Sequence, residues 1–311
     1  MQQRGLLLGS TSSHPHPERQ NITVSKFSKS ASKFDGRMVG CDEEFKTIMD
    51  QLTRQSAKQL QVSSIVGMGG IGKTTLARKV YEGSSITSHF DKRAWVTVSQ
   101  EYNVEQMLQC LIDCVNATSN DVLHEQRNDN FAESLRKHLK EQRYLIVMDD
   151  IWSTTAWDSV QRCFPNDNNG TRTLLTSRLR EVAEYASSGN STINMSFLDA
   201  NKSWNLFCNV FGQTEFLSVF EQIGRNIVKK CNGLPLAIFV IASLLSKTEA
   251  AVEKWNNVVE NVSRYVIGDS NYACSKILYL SYNQLPHHLK ACFLYFGVFP
   301  EDYEIHVKKL G

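Results

Sequence analysis

The glycine-rich run GMGGIGKT at residues 67–74 constrains the fold of this chain more than any other segment. It satisfies the pattern G-x-x-x-x-G-K-[ST], in which glycines let backbone N–H groups close around phosphate oxygens. An apolar, β-branched segment at 60–66 precedes it, and a helical pattern at 74–82 follows it. This order puts a bound anion at the positive end of a helix. The segment therefore predicts a nucleotide-binding site of the P-loop class.

Each position of the phosphate loop has an expected part in holding the nucleotide. Lys73 is expected to reach the β- and γ-phosphates, and the hydroxyl of Thr74 is expected to bind Mg²⁺. The residues expected to contact the nucleotide in this segment are Gly67, Gly69, Gly70, Ile71, Gly72, Lys73, Thr74 and Thr75.

Strand-like and helix-like segments alternate around this loop. Apolar runs typical of buried strands occur at 60–66, 93–98, 143–148, 172–177 and 191–195. Helical patterns occur at 74–82, 104–115 and 131–141. Such alternation favours parallel pairing through right-handed crossovers, so the predicted fold class is α/β, a parallel sheet with helices on both faces. After about residue 197 only helical spacing is found, which predicts a second, helical region.

Polar residues follow two of the predicted strands. Asp149 and Asp150 end the strand at 143–148, where Asp149 can hold Mg²⁺ and Asp150 can polarise a water molecule as a general base. Arg178 follows the strand at 172–177 and is placed to contact a γ-phosphate. An aspartate pair or an arginine at a strand end is weak evidence alone, but downstream of a phosphate loop it points to a nucleotide site.

Composition gives little support for a nucleic-acid-binding, membrane-bound or disulfide-rich protein. The net charge of +2 gives no support for nucleic-acid or membrane-surface binding, and no window approaches 18 consecutive apolar residues. Eight cysteines without a Cys-x-x-Cys pair are typical of reduced thiols in a cytosolic protein. Residues 1–35 are Ser-rich and lack periodicity, which predicts a disordered linker, with an organelle-targeting segment as the alternative.

Taken in order, the motifs resemble the NB-ARC module of plant NBS-LRR disease-resistance proteins. The likeness runs from about Met38 to the end of the chain, and Trp152 together with FPEDYEI resembles the coiled-coil subclass. The matching segments are MVGCDEE (38–44), the phosphate loop, FDKRAWVTVSQEYN (90–103), YLIVMDDIW (144–152), NGTRTLLTSR (169–178), CNGLPLA (231–237) and CFLYFGVFPEDYEI (292–305). Two departures are Cys41, where the family has arginine, and Ser177, where it has threonine.

The resemblance implies a P-loop NTPase sheet of the STAND/AP-ATPase type. It implies a nucleotide-binding domain at 36–196, a helical ARC1 domain at 197–272 and the start of a winged-helix ARC2 domain at 273–311. The strand that carries Arg178 would lie between the phosphate-loop strand and the Asp149 strand. Val39 and Gly40 would lie at the adenine, and Pro235 at the base region of the nucleotide. The family's Met-His-Asp motif and leucine-rich repeats are not found, so we expect a module truncated at both ends.

The function implied by the resemblance is an ADP/ATP switch in an intracellular plant immune receptor. ADP would hold a closed form, ATP would favour an open form that self-associates, and slow hydrolysis would reset the off-state. The location would be cytoplasmic, with a peripheral membrane or nuclear pool possible, and neither nucleic acid nor lipid is expected as a direct ligand. The protein partners cannot be read from the sequence.

Two alternatives remain open. The chain can be a truncated interaction fragment or decoy that no longer switches. It can also be a substrate-directed P-loop enzyme, either a nucleic-acid-acting ATPase or a small-molecule kinase. A kinase should carry a basic lid, whereas the segment LREVAEYASSG after Arg178 contains two acidic residues and one further arginine.

Overall fold

The computed structural model describes residues 38–117, 130–247, 251–266 and 285–299, together with 275, 277–279 and 282–283. The predicted linker at 1–35 and much of the predicted winged-helix segment lie outside the described residues. No described helix is long and apolar enough to cross a membrane.

A five-stranded parallel sheet forms the centre of the fold, in the order β2-β3-β4-β1-β5. Its strands are β1 (Gln61–Val66), β2 (Lys92–Thr97), β3 (Tyr144–Asp149), β4 (Arg172–Ser177) and β5 (Thr192–Asn194). All five lie within two residues of the runs predicted from the sequence. The α/β fold class is therefore confirmed, and β4 lies between β1 and β3 as the resemblance implies.

Helices cover both faces of the sheet, and for this reason the central strands at 144–149 and 172–177 are buried throughout their length. These helices are α1 (Asp42–Thr53), α2 (Lys73–Glu82), α3 (Ser84–His89), α4 (Val104–Ala117), α5 (Phe131–Leu139), α6 (Thr154–Gln161) and α7 (Arg180–Ala186). The sequence predicted α2, α4 and α5. It did not predict the other four, three of which have eight residues or fewer and too few turns to show a periodic apolar face.

Helices dominate the chain after β5. They are α8 (Ala200–Phe211), α9 (Ser218–Lys230), α10 (Pro235–Leu245) and α11 (Val252–Val266), followed by a helix at His287–Tyr295. An aromatic cluster holds α8, α9 and α11 together: the ring of Trp255 on α11 lies 6.3 Å from Phe207 on α8 and 5.1 Å from Phe220 on α9, and Trp255 is only 1% exposed. Within α8, Trp204 stacks on Phe207 with 5.3 Å between ring centroids.

One apolar core joins the sheet to the helical region. It contains Ile65 of β1 and Leu174 of β4 together with Ile238 and Ile241 of α10. A second core, on the other face of the sheet, contains residues of α4 and α5 such as Leu111 and Leu135. The helical region therefore shares one continuous apolar core with α1, α2 and the residues of β1 and β4 on that face of the sheet.

The turn between α9 and α10 contains two successive left-handed residues. Asn232 takes the first such position after the helix with φ +49°, and Gly233 follows with φ +72°. Asparagine tolerates this conformation because its short polar side chain can bond locally. Pro235 opens α10, since a helix's first turn does not need its missing N–H.

Candidate functional site

The phosphate loop joins β1 to α2 at the carboxyl edge of the sheet. Its glycines are required by geometry: Gly70 and Gly72 have φ of +74° and +104°, which favour glycine. A Cβ on Gly67 would lie 3.0 Å from the Ile71 side chain and 3.1 Å from Cβ of Met195. The loop thus lies close against Met195, the residue after β5, and a side chain at Gly67 would require its neighbours to shift.

The predicted loop residues do not all present side chains to the site. Ile71 is 2% exposed and packs in the apolar core, so only its backbone can face a nucleotide. The side chains of Thr74 and Thr75 are exposed on the first turn of α2. Gly69 lies in the turn between them and β1. The loop therefore offers backbone and hydroxyl groups on one side and an apolar anchor on the other.

Lys73 supplies the positive charge of the loop. Its side chain is 6% exposed, and its ammonium donates hydrogen bonds to the carbonyl oxygens of Gly67 at 2.8 Å and Met68 at 3.1 Å. These bonds hold the ammonium beside the loop backbone, within the segment that would surround a phosphate chain.

Asp149 is the centre of a buried polar group beside the loop. It is 4% exposed, and one of its carboxylate oxygens accepts hydrogen bonds from the hydroxyls of Thr74 at 2.9 Å and Thr176 at 2.5 Å. Burial raises the pKa of the Asp149 carboxyl, and these two hydroxyl donors oppose that shift. The structure thus brings together Thr74 and Asp149, the two residues predicted to hold Mg²⁺. A hydroxyl and a carboxylate are oxygen ligands of the kind that Mg²⁺ takes beside bound phosphates, so they fit this ion.

Asp150 and Arg178 lie next to this group and bind each other. Arg178 donates to the Asp150 carboxylate at 3.1 Å, and its guanidinium stands 4.6 Å from the ring centroid of Trp152. The backbone of Asp150 is left-handed, with φ +56°, and its N–H donates to the hydroxyl of Thr176 at 2.8 Å. The predicted base and the predicted γ-phosphate contact therefore form one ion pair.

Thr176 and Ser177 take part in the site although neither was among the residues predicted to bind nucleotide or metal. Thr176 bonds both aspartate residues, as described above. Ser177 donates to the carbonyl oxygen of Ile151 at 2.7 Å and accepts from the N–H of Leu179 at 3.0 Å. A serine hydroxyl suffices for both bonds, which explains why threonine is not needed there. The missed signal was the pairing of β4 with β3, which sets these hydroxyls beside the aspartates.

The helical region touches the loop directly. The N–H of Leu236, in the first turn of α10, donates to the carbonyl oxygen of Gly70 at 3.2 Å. Pro235, immediately before it, is half-buried at the start of the helix. The segment predicted to contact the base region of the nucleotide is therefore attached to the phosphate loop by a backbone hydrogen bond.

Val39 and Gly40 lie against α8 and its approach. Val39 is half-buried and packs on the apolar core. Gly40 has φ +83°, its carbonyl oxygen accepts from the ammonium of Lys202 at 3.2 Å, and a Cβ on it would lie 2.8 Å from the Leu198 side chain. Leu198 in turn donates its N–H to the carbonyl oxygen of Gly233 at 3.0 Å. Leu198 thus links the two segments that were predicted to hold the base.

Comparison with known proteins gives the family and the fold. The family described as NB-ARC domain matches residues 41–216, more than half of the chain. A putative late blight resistance protein homolog of Solanum demissum is 40% identical over 272 residues, which make up 86% of this chain and 20% of that protein. The disease resistance protein RPP13 of Arabidopsis thaliana is 38% identical over 284 residues, 88% of this chain and 33% of that protein. The chain spans about a fifth to a third of the length of these curated relatives.

Two solved structures share the fold at low sequence identity. The ORC2 protein of Aeropyrum pernix, solved with ADPNP and ADP, has a TM-score of 0.54 and 13% identity, covering 75% of this chain and 70% of that one. A STAND protein of Pyrococcus horikoshii, with a tetratricopeptide repeat sensor, has a TM-score of 0.51 and 17% identity, covering 87% of this chain and 36% of that one.

Proposed function

The chain belongs to the NB-ARC family, and from that premise we propose that it is the ADP- and ATP-binding switch of a plant disease-resistance receptor. The observation that carries the proposal is the hydrogen bond from Leu236 to Gly70, because it attaches the helical region to the loop that would hold the phosphates. Any movement of the loop around a nucleotide is transmitted to α10. The relatives named as resistance proteins support the defence role.

The nucleotide would lie between the phosphate loop and the helical region. Backbone N–H groups of residues 69–75 and the ammonium of Lys73 would bind the phosphates, while Val39, Gly40 and Pro235 would enclose the base. Thr74 and Asp149 would hold Mg²⁺, which neutralises phosphate charge when bound. These assignments rest on the motif positions and on the contacts that already join the same residues.

Arg178 gives the switch a means of distinguishing ATP from ADP. Its side chain is 46% exposed, and among the described residues it is held by Asp150 and the face of Trp152. A γ-phosphate would compete with the Asp150 carboxylate for the guanidinium, since charge-assisted bonds are worth about 1.5–3 kcal/mol each. Moving a two-state balance from 1:99 to 99:1 needs about 5.5 kcal/mol, which two or three such bonds supply. Recruitment of Arg178 would also release Asp150 to act on water.

Replacing Asp150 by asparagine is expected to slow ATP hydrolysis about a hundredfold while leaving nucleotide affinity within a few-fold of the original. The amide cannot accept a proton from water, yet asparagine tolerates the left-handed backbone at φ +56°. Single-turnover hydrolysis and calorimetric titration measure the two quantities. Asp158→Asn, which alters a carboxylate on α6 that accepts from Tyr185, serves as the control. Unchanged turnover in Asp150→Asn would remove Asp150 from the role of base.

The kinase alternative is disfavoured by the segment after Arg178. That segment forms α7, whose residues Val182, Ala183 and Ala186 are buried in contact with the sheet. A lid that closes over a substrate needs a segment free to move, whereas this one is packed.

We propose in addition that the ATP-bound form self-associates and that the protein acts in the cytoplasm.

The nucleotide content of natively purified protein tests the proposal. We expect ADP at close to one mole per mole after denaturation and anion-exchange chromatography of the supernatant, because a closed form encloses the nucleotide. Empty protein that binds ATP only weakly would contradict the closed, ADP-held form and would favour the interaction-fragment alternative. ATP turnover that rises on adding DNA or RNA would favour a nucleic-acid-acting ATPase instead.

A further inference from the structure

A second polar cavity lies at the opposite edge of the sheet from the phosphate loop. Its volume is about 290 Å³, and it opens between the segment 54–58, which joins α1 to β1, and the residues that precede β3 and β4. Strands rise about 3.3 Å per residue, so the six-residue strands separate the two sites by about 20 Å. The cavity therefore takes no part in the nucleotide site described above.

Positively charged side chains dominate the walls of this cavity. Arg54 and Lys58 come from the segment that joins α1 to β1, Arg143 is the residue before β3, and Arg172 is the first residue of β4, with His89 also in the lining. No aspartate or glutamate is among the described residues that line the cavity. Within the described part of the chain, none of these four cations forms an ion pair with a carboxylate.

Arg172 is an unusual source of charge because it is buried without an acidic partner among the described residues. It is 1% exposed, and its guanidinium donates to five backbone carbonyl oxygens at 2.8–3.3 Å: those of Gln51, Arg54, Ala57, Gln59 and Thr171. These bonds use all five of its donors. Arg172 therefore shapes the segment 54–59 and leaves its positive charge under the cavity.

The surrounding groups respond to this positive field. Burial lowers the pKa of His89, and the charges of Arg143 and Arg172 lower it further, while Asp91 opposes them. Burial also lowers the pKa of Arg172, followed by the charges of Arg143 and Arg54. The carboxylate of Asp91 accepts from the backbone N–H of Arg143 at 3.0 Å and, within the described residues, forms no ion pair with its guanidinium.

Asn169 provides an independent sign of a missing partner. Its amide nitrogen and oxygen are both buried, and neither has a hydrogen-bond partner among the described residues. Asn169 lines the cavity, and its backbone carbonyl oxygen accepts a hydrogen bond of 3.0 Å from the guanidinium of Arg143. Buried amide groups without partners are uncommon in native proteins and call for a ligand or water.

We propose that this cavity binds a compact phosphate ester carrying two or more phosphate groups. Its volume lies at the small end of ligand sites, which excludes large ligands. Arginine forks bind phosphate oxygens bidentately, and here Arg54 and Arg143 come from two separate segments of the lining, so two phosphate groups satisfy both better than one. Neither the nucleotide site nor the switch is needed for this binding.

Binding of fructose 1,6-bisphosphate to the whole protein, with ADP in excess and at fixed ionic strength, tests the proposal. Calorimetry measures the affinity, and the ring resonances of His89, assigned with His89→Gln, report on the cavity. We expect saturable binding that shifts these resonances and raises the pKa of His89, since a bound anion favours the imidazolium. Lys58→Gln and Arg143→Gln, both on exposed side chains, should each weaken binding about tenfold.

Lys137→Gln is the matched control, because it removes one charge from an exposed ion pair with Glu133 on α5, outside the cavity. It should leave the affinity within about twofold. Equal weakening by all three variants would mean non-specific attraction and would overturn the proposal. So would binding without movement of the His89 resonances, or loss of binding when ADP is present, since the phosphate loop would then be the site. Equally tight binding of inorganic phosphate would contradict the requirement for two phosphate groups.

Discussion

Replacing Lys73 by alanine is expected to weaken ADP and ATP binding by a factor of about 100 to 10,000, so that the protein purifies without nucleotide. The ammonium would make at least two charge-assisted bonds to the β- and γ-phosphates, each worth about 1.5–3 kcal/mol. Lys73 is only 6% exposed, so water screens its ammonium little and no solvent-exposed charge takes its place when it is removed. Calorimetric titration with each nucleotide and the nucleotide content after denaturation measure the loss.

Lys79→Ala is the matched control for this change. Lys79 lies on the same helix, and its ammonium stands 5.1 Å from the ring centroid of Phe45, away from the loop. This control should bind both nucleotides as the parent does. Because Lys73→Ala also removes the bonds to Gly67 and Met68, its fold is checked by circular dichroism. A folded Lys73→Ala protein that retained the parent affinity would show that this loop is not the nucleotide site.

Replacing Gly233 by alanine is expected to destabilise the protein by about 4 kcal/mol, with a fall in Tm of the order of 10 °C. A Cβ at this position would lie 2.2 Å from the carbonyl oxygen of Leu198 and 3.0 Å from its backbone nitrogen. Both are backbone atoms and cannot rotate away. The left-handed φ of +72° adds a further cost. The bond from Leu198 to Gly233 would be lost, so we also expect faster release of ADP.

Gly212→Ala separates these two causes. Gly212 ends α8 with φ +84°, yet nothing lies within 4 Å of the Cβ that alanine would add. It therefore carries only the cost of the left-handed backbone, about 1 kcal/mol. Denaturant unfolding of both variants gives the difference. Equal destabilisation by the two changes would mean that the close approach of Gly233 to Leu198 does not occur.

The sheet was predictable because its strands are local features of the sequence. Runs such as YLIVMD at 144–149 are fully buried, so every position is apolar or ends the strand, and glycine-rich and charged segments mark their bounds. Helix α4, with fourteen residues and buried positions at Met107, Leu108, Leu111, Ile112 and Val115, shows the period of an amphipathic helix. Helix α3 has six residues and one buried position, Ile86, which leaves no period to detect.

The contacts of the candidate site were less predictable because they depend on which strands are neighbours. Nothing in the residues alone says that Thr176 lies beside Asp149, since the two are 27 positions apart and meet only through the pairing of β4 with β3. The ion pair between Asp150 and Arg178 depends on the same pairing. In the sequence, Arg172 looks like an ordinary residue at the start of a strand. In the structure its guanidinium donates to four carbonyl oxygens of the segment 51–59, more than 100 positions away, and to that of the adjacent Thr171.

The apolar core shared by the sheet and the helical region would limit how far a nucleotide alone can separate the two. Fully uncovering an aliphatic side chain of this core costs about 1.5–3 kcal/mol, so exposing two or three of them would consume the whole preference that a γ-phosphate can generate. A wider separation needs another protein surface to shield the uncovered side chains. On this ground, assembly with partners would be a thermodynamic condition of full activation, and not only its outcome.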